Sequence, residues 1–124
     1  MANQPLKGMA RLAAAWRNSR AGFRDAWQGE EAFRQEVILF LLSIPAAFLI
    51  GATVFQTALL IASMLLLLIV EILNSAIESV VDRIGPERHE LSRKAKDMGS
   101  LAVLMAMLLA GILWLAALWQ AFTT

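Results

Sequence analysis

The sequence predicts an all-α integral membrane protein, with three transmembrane helices preceded by an amphipathic helix on the membrane surface. Three observations lead there. Of the 124 residues, 59% are hydrophobic, against about 45–50% in an ordinary soluble domain. That apolarity is gathered into VILFLLSIPAAFLIGATV (37–54), FQTALLIASMLLLLIV (55–70) and SLAVLMAMLLAGILWLAALWQAF (100–122). Each approaches the roughly 20 residues that cross a bilayer core. Finally, all eleven Lys and Arg fall in two blocks, from Lys7 to Arg34 and from Arg83 to Lys96.

A single membrane domain over 1–124 accommodates these elements in order. Residues 8–28 form the surface helix. Met9, Leu12, Trp16, Phe23, Ala26 and Trp27 recur at three- and four-residue steps, and Arg11, Arg17, Arg20 and Arg24 add positive charge. Such a helix lies with its apolar face in the acyl boundary and its arginines near lipid phosphates, or covers the cytoplasmic end of the bundle. The first span, 35–52, is interrupted by Pro45 and is too long-preceded by charge to read as a signal peptide. The second, 55–84, contains no Gly or Pro before the Gly85-Pro86 break. It is long enough to project its last turns out of the membrane. The third, 92–122, is expected to start at Ser92, a competent N-cap.

Charge placement sets the expected orientation. The connector around GATVFQ (51–56) and the C-terminal tail carry no charge. The positive-inside rule therefore puts the N-terminus and the second connector in the cytoplasm, with the C-terminus on the far side. Trp114 and Trp119 suit that opposite interface. No cysteine is present, which excludes disulfides, thiolate metal sites and thiol nucleophiles. No P-loop, kinase-type glycine-rich loop or G-x-S-x-G occurs. No nucleic-acid partner is expected.

Chemistry is concentrated in three clusters. At 100° per residue Glu71, Asn74, Ser75, Glu78 and Asp82 share an arc of about 100° on one helix face. Glu71 and Glu78 are two turns apart, roughly 10 Å along the axis, too far to clamp one ion but suited to two subsites. Intramembrane carboxylates are functional candidates by default; the competing reading is a polar seam pairing with Arg34 or with another helix. The second cluster is EEAFRQE (30–36), where Glu30 and Arg34 are i, i+4 neighbours. The third is RKAKDMGS (93–100), where Lys96 is either a phosphate partner or one of many interfacial lysines. Carboxylates without Cys and with one His, the loop residue His89, point to a hard metal such as Mg²⁺ bound together with substrate phosphates.

EAFRQE (31–36), VEILNSAIESVVDRIG (70–85) and HELSRKAKDMGS (89–100), in this order and spacing, resemble the prokaryotic diacylglycerol kinases, a family of small integral membrane enzymes. The resemblance extends over nearly the whole chain. It implies a homotrimeric bundle that phosphorylates the hydroxyl of diacylglycerol with Mg-ATP, giving phosphatidic acid, at the cytoplasmic face of a bacterial inner membrane. By the same resemblance Glu71 is the catalytic base and Glu30 and Glu78 bind Mg²⁺, with Asn74 in support. The ATP site then comprises Arg11, Asn18, Glu30, Glu78, Glu87, Arg88, His89, Lys96 and Asp97. Asn18 stands where relatives often carry an aromatic residue. Arg11, Trp16, Arg24, Trp27, Phe33, Arg34, Gln35, Glu36, Glu71 and Ser100 face the lipid substrate.

From the residues themselves, Ala102, Ala106 and Ala110 form a small-residue ridge that allows close helix contact, and three spans enclose little volume, which favours oligomerisation. Undecaprenol is the alternative acceptor, because polyprenol kinases of the superfamily share the acidic block. A proton-coupled transporter would place an acid near mid-bilayer and balance charge between the two sides, which this sequence does not do. A non-catalytic membrane subunit is the remaining alternative.

Overall fold

A computed structural model describes residues 5–124. The helices are α1 (Gly8–Gly29), α2 (Glu31–Ile50), α3 (Val54–Ile84) and α4 (Glu90–Thr123), with no strand among the described residues. The last three are long and apolar enough to cross a membrane. α2 runs away from the charged end, α3 returns to it and α4 runs out again. Lys96 meets Asp82 at one end of the α3–α4 pair, and Gln120 meets Gln56 at the other.

The hairpin between α2 and α3 is tight because both sides of it are capped. Gly51 closes α2 through its N–H to the Ala47 carbonyl at 2.8 Å. Thr53 opens α3 by accepting from the Gln56 N–H at 3.0 Å. α2 therefore stops at Ile50 rather than 52, and it absorbs Pro45 within its length. Pro45 is exposed, and a proline removes one helical N–H.

α4 begins earlier than a Ser92 cap would allow. His89 is the N-cap, its Nδ1 accepting from the Leu91 N–H at 3.0 Å. The sole histidine is thus a helix cap as well as a loop residue. Gly85, at φ 156°, makes the turn out of α3, a backbone region that L side chains avoid.

α3 is the central element. Its buried residues are Thr57, Leu60, Ser63, Met64, Leu67, Leu68, Glu71, Asn74 and Val81, a stripe at three- and four-residue steps. α4 meets it with small residues, Gly99, Ala106, Ala110 and Ala117. The alanine ridge expected from the sequence is therefore used inside the chain, and Ala102 lies off it, exposed. Trp114 also departs from expectation. It packs against the core instead of seeking an interface, and its Nε1–H donates to Ser63 Oγ at 3.2 Å. An indole N–H in an apolar interior needs such an acceptor. Trp119 is exposed near the uncharged end.

Candidate active site

The buried stripe of α3 changes chemistry without changing direction. From Leu60 to Leu68 it is chiefly apolar, and from Glu71 outward the same face carries Glu71, Asn74 and Glu78. Helical periodicity alone therefore turns these polar groups toward α2 and α4 rather than toward lipid. Glu71 is 8% exposed. Its carboxylate interacts electrostatically with Glu36 of α2, with Glu78 and with Glu30 at the α1–α2 junction.

Around this centre few hydrogen bonds are fixed. Asn74 Nδ2 donates to Glu78 Oε1 at 3.3 Å. Glu36 Oε2 and Asn74 Oδ1 are buried without a hydrogen-bond partner among the described residues. Arg34 does not pair with Glu30 or Glu71. Its Nη1 donates to the Trp27 carbonyl at 2.7 Å, binding the last turn of α1 onto α2. Arg34 is therefore not the partner of the α3 carboxylates: a guanidinium near a helix C-terminus satisfies carbonyls that have no intrahelical partner.

Phe33, expected against lipid, is 2% exposed and lies edge-on to Phe23 at 5.5 Å between centroids. Phe23 stacks in turn on Trp27. Phe33 is a packing anchor for α1, and its ring has no surface to offer a lipid in this chain. Trp16, Arg24 and Trp27 instead line a shallow aromatic groove along α1 together with Arg20 and Phe23. Gln35 is exposed and donates to Glu31 at 3.4 Å, and Ser100 is exposed on α4.

A second concavity lies between the outer turns of α3 and α4. Glu87, Arg88, His89, Lys96 and Asp97, all expected at the nucleotide, line it together with Asp82. Five of its charged side chains are already paired. Lys96 Nζ donates to Asp82 at 2.9 Å, and Arg93 bridges Glu90 and Asp97, the latter at 2.7 Å. Lys96 is thus partnered rather than a free phosphate ligand, through a contact exposed enough to exchange with water or an anion. No residue of α1 lines this concavity. Arg11 and Asn18 are exposed on α1, whose main neighbour is α2, so one chain does not bring them to the other nucleotide candidates.

Two residues of the site had no role assigned from the sequence, and a third, Asp82, was placed on the acidic arc without a partner and turns out to hold Lys96. Arg93 orders Asp97. Gly99 is buried against Asn74; its only signal in the sequence is a glycine within an otherwise helical run, which marks close approach as often as a break.

Three membrane-length helices with their ionisable groups gathered at one end define a small multi-pass helical membrane protein with a carboxylate-rich site at one end of the bundle. The chain belongs to the family described as prokaryotic diacylglycerol kinase, whose sequence profile matches residues 17–118. It is 51% identical over 115 residues to the diacylglycerol kinase of Escherichia coli strain K12, covering 93% of this chain and 94% of that one. Identity to the diacylglycerol kinase of Pseudomonas aeruginosa is 49%, over 92% and 95% of the two chains. For that of Haemophilus influenzae it is 46%, over 86% and 91%.

Proposed function

We propose that this chain phosphorylates the free hydroxyl of diacylglycerol with ATP, producing phosphatidic acid and ADP at the cytoplasmic face of a bacterial inner membrane. The observation that carries this reading is the polar continuation of the α3 stripe. A buried carboxylate, Glu71, stands two turns from Glu78, and about one turn beyond Glu78 the same helix contributes Asp82 to a concavity lined by Lys96 and Asp97. One helix thereby addresses an apolar acceptor and an aqueous donor.

In this reading Glu71 accepts the proton of the lipid hydroxyl as its oxygen attacks the γ-phosphorus. The bond from that phosphorus to the β–γ bridging oxygen breaks, and ADP leaves with the bond's electron pair. Phosphoryl transfer needs positioning and charge neutralisation more than covalent help. Lys96 supplies positive charge to the phosphates by exchanging Asp82 for them, and Arg88 and His89 border the nucleotide. Arg11 and Asn18 approach from a surface helix. Arg34, whose guanidinium fastens α1, and Glu36 border the lipid side.

The donor set fits Mg²⁺. Glu30 and Glu78 offer hard carboxylate oxygens that interact with the same neighbour, Glu71. No three acidic or histidine groups among the described residues enclose an ion by themselves. Mg²⁺ would keep water and take phosphate oxygens as further ligands. When bound, Mg²⁺ neutralises charge on the transferring phosphates.

The active species is a homotrimer. Most of the apolar surface of α2, α3 and α4 is left uncovered within one chain, which leaves broad helix faces open to lipid and to other copies. The separation of Arg11 and Asn18 from the α3–α4 concavity favours a site completed between protomers.

The deciding experiment incubates purified protein with labelled ATP in mixed micelles containing diacylglycerol or undecaprenol. Label should appear in phosphatidic acid and not in polyprenyl phosphate. Equal or preferential labelling of the polyprenol would move the protein to the other acceptor class.

A further inference from the structure

We propose that Gly99 is a positioning residue for Glu78, acting through the side chain of Asn74. The proposal rests on the reading of Glu78 as a ligand of the metal and nucleotide. Gly99 is buried where α4 packs on α3, and its backbone is ordinary helix, so no unusual dihedral demands glycine there. Inside a helix glycine is less favourable than alanine. What glycine leaves here is room for the Asn74 amide. A Cβ at this position would fall on Asn74 Oδ1, with Asn74 Cγ at 3.1 Å and Cβ at 3.8 Å. Gly111, further along α4, has nothing within 4 Å of the same point.

The Asn74 amide consequently has one seat. Its Oδ1 is sealed against Gly99 without a hydrogen-bond partner, and its Nδ2 donates to Glu78 at 3.3 Å. Turning the amide over would aim an acceptor at a carboxylate, which accepts only. The amide is planar, so displacing Oδ1 by a methyl group at position 99 also swings Nδ2 away from Glu78. Hydrogen bonds to charged groups are the stronger kind, and losing this one frees the carboxylate to rotate away from its ligand-holding orientation. The missing side chain on α4 therefore sets the direction of a carboxylate on α3.

The test compares Gly99→Ala, Asn74→Ala and the double variant in the full-length protein. Binding of Mn²⁺ with a non-hydrolysable ATP analogue is followed by electron paramagnetic resonance, and KM is measured separately for Mg-ATP and for diacylglycerol. Gly99→Ala should weaken Mn²⁺–nucleotide binding and raise KM for Mg-ATP by about tenfold, the loss of one charge-assisted hydrogen bond. KM for diacylglycerol should stay unchanged. In the Asn74→Ala background, where the obstructing amide is gone, the added methyl should have no further effect. Independent, multiplying effects of the two substitutions, or equal changes in both KM values, would overturn the proposal. Should Gly99→Ala fail to fold, NMR of the unsubstituted protein decides. The Asn74 side-chain amide protons should be resolved, slow to exchange and shifted by Glu78→Gln, and a freely exchanging amide would refute the seat. If Glu78→Gln leaves Mn²⁺–nucleotide binding intact while the amide behaves as expected, it is the ligand role of Glu78 that fails and not the seat.

Discussion

Glu71 and Glu78 occupy one face of one helix, yet their surroundings differ. Glu71 is buried, and Glu78 is partly exposed and held by Asn74. The substitution Glu71→Gln keeps shape and removes the proton acceptor. It should lower kcat by about 10²–10⁴-fold, the usual worth of a general base, while Mg-ATP binding persists. Glu78→Gln should raise KM for Mg-ATP as well, since it removes a charge that faces the nucleotide. Steady-state kinetics beside equilibrium nucleotide binding separates the two outcomes. Near-normal turnover by Glu71→Gln would remove it from the role of base. Both carboxylates were legible from periodicity, because a helix repeats its face every three or four residues. The packing role of Phe33 and the backbone-capping role of Arg34 were not, because each depends on where α1 folds back.

Among the elements, the α2–α3 hairpin stands furthest from the chemistry and holds the two helices in register. A Cβ at Gly51 would meet the Ala47 carbonyl oxygen at 2.8 Å and Thr57 Cα at 3.0 Å, and it would fall on the Thr57 hydroxyl. That hydroxyl donates to the same carbonyl at 3.4 Å. Gly51→Ala should therefore destabilise the protein by about 1–3 kcal/mol, as overpacking does. It should be read as faster thermal inactivation in detergent with KM values unchanged. The lengths of α3 and α4 were largely written in the sequence, since Gly85-Pro86 is a break that propensity alone predicts. The start of α4 was not. Ser92 and His89 are both able to accept from a backbone N–H, and only the path of the chain after Gly85 selects His89.

For the whole molecule, the expectation is an assembly with shared sites. Mixing protomers carrying Arg11→Ala with protomers carrying Glu71→Gln should restore activity that neither pure population shows, provided that α1 of one chain serves α3 of another. Activity no higher than the weighted mean of the two would mean that each chain completes its own site. Orientation is equally open to measurement. The chain has no cysteine, so a single Cys introduced at Thr124 or at Ser19 is a unique label. Under the positive-inside rule a membrane-impermeant thiol reagent added outside intact cells should reach the first and not the second.

By itself the sequence determined the class, the number of long helices, the charged end and the acidic face of α3. These follow from hydropathy, breakers and a helical repeat, all of which are local. Only the tertiary structure decided what that face meets. It pressed Gly99 onto Asn74, gave Lys96 to Asp82, tied Arg34 to the end of α1 and drew Trp114 inside to Ser63. Each is a contact fixed by how the helices cross and turn, including partners as close in sequence as Arg34 and Trp27 and as distant as Trp114 and Ser63, and no repeat along the chain encodes it.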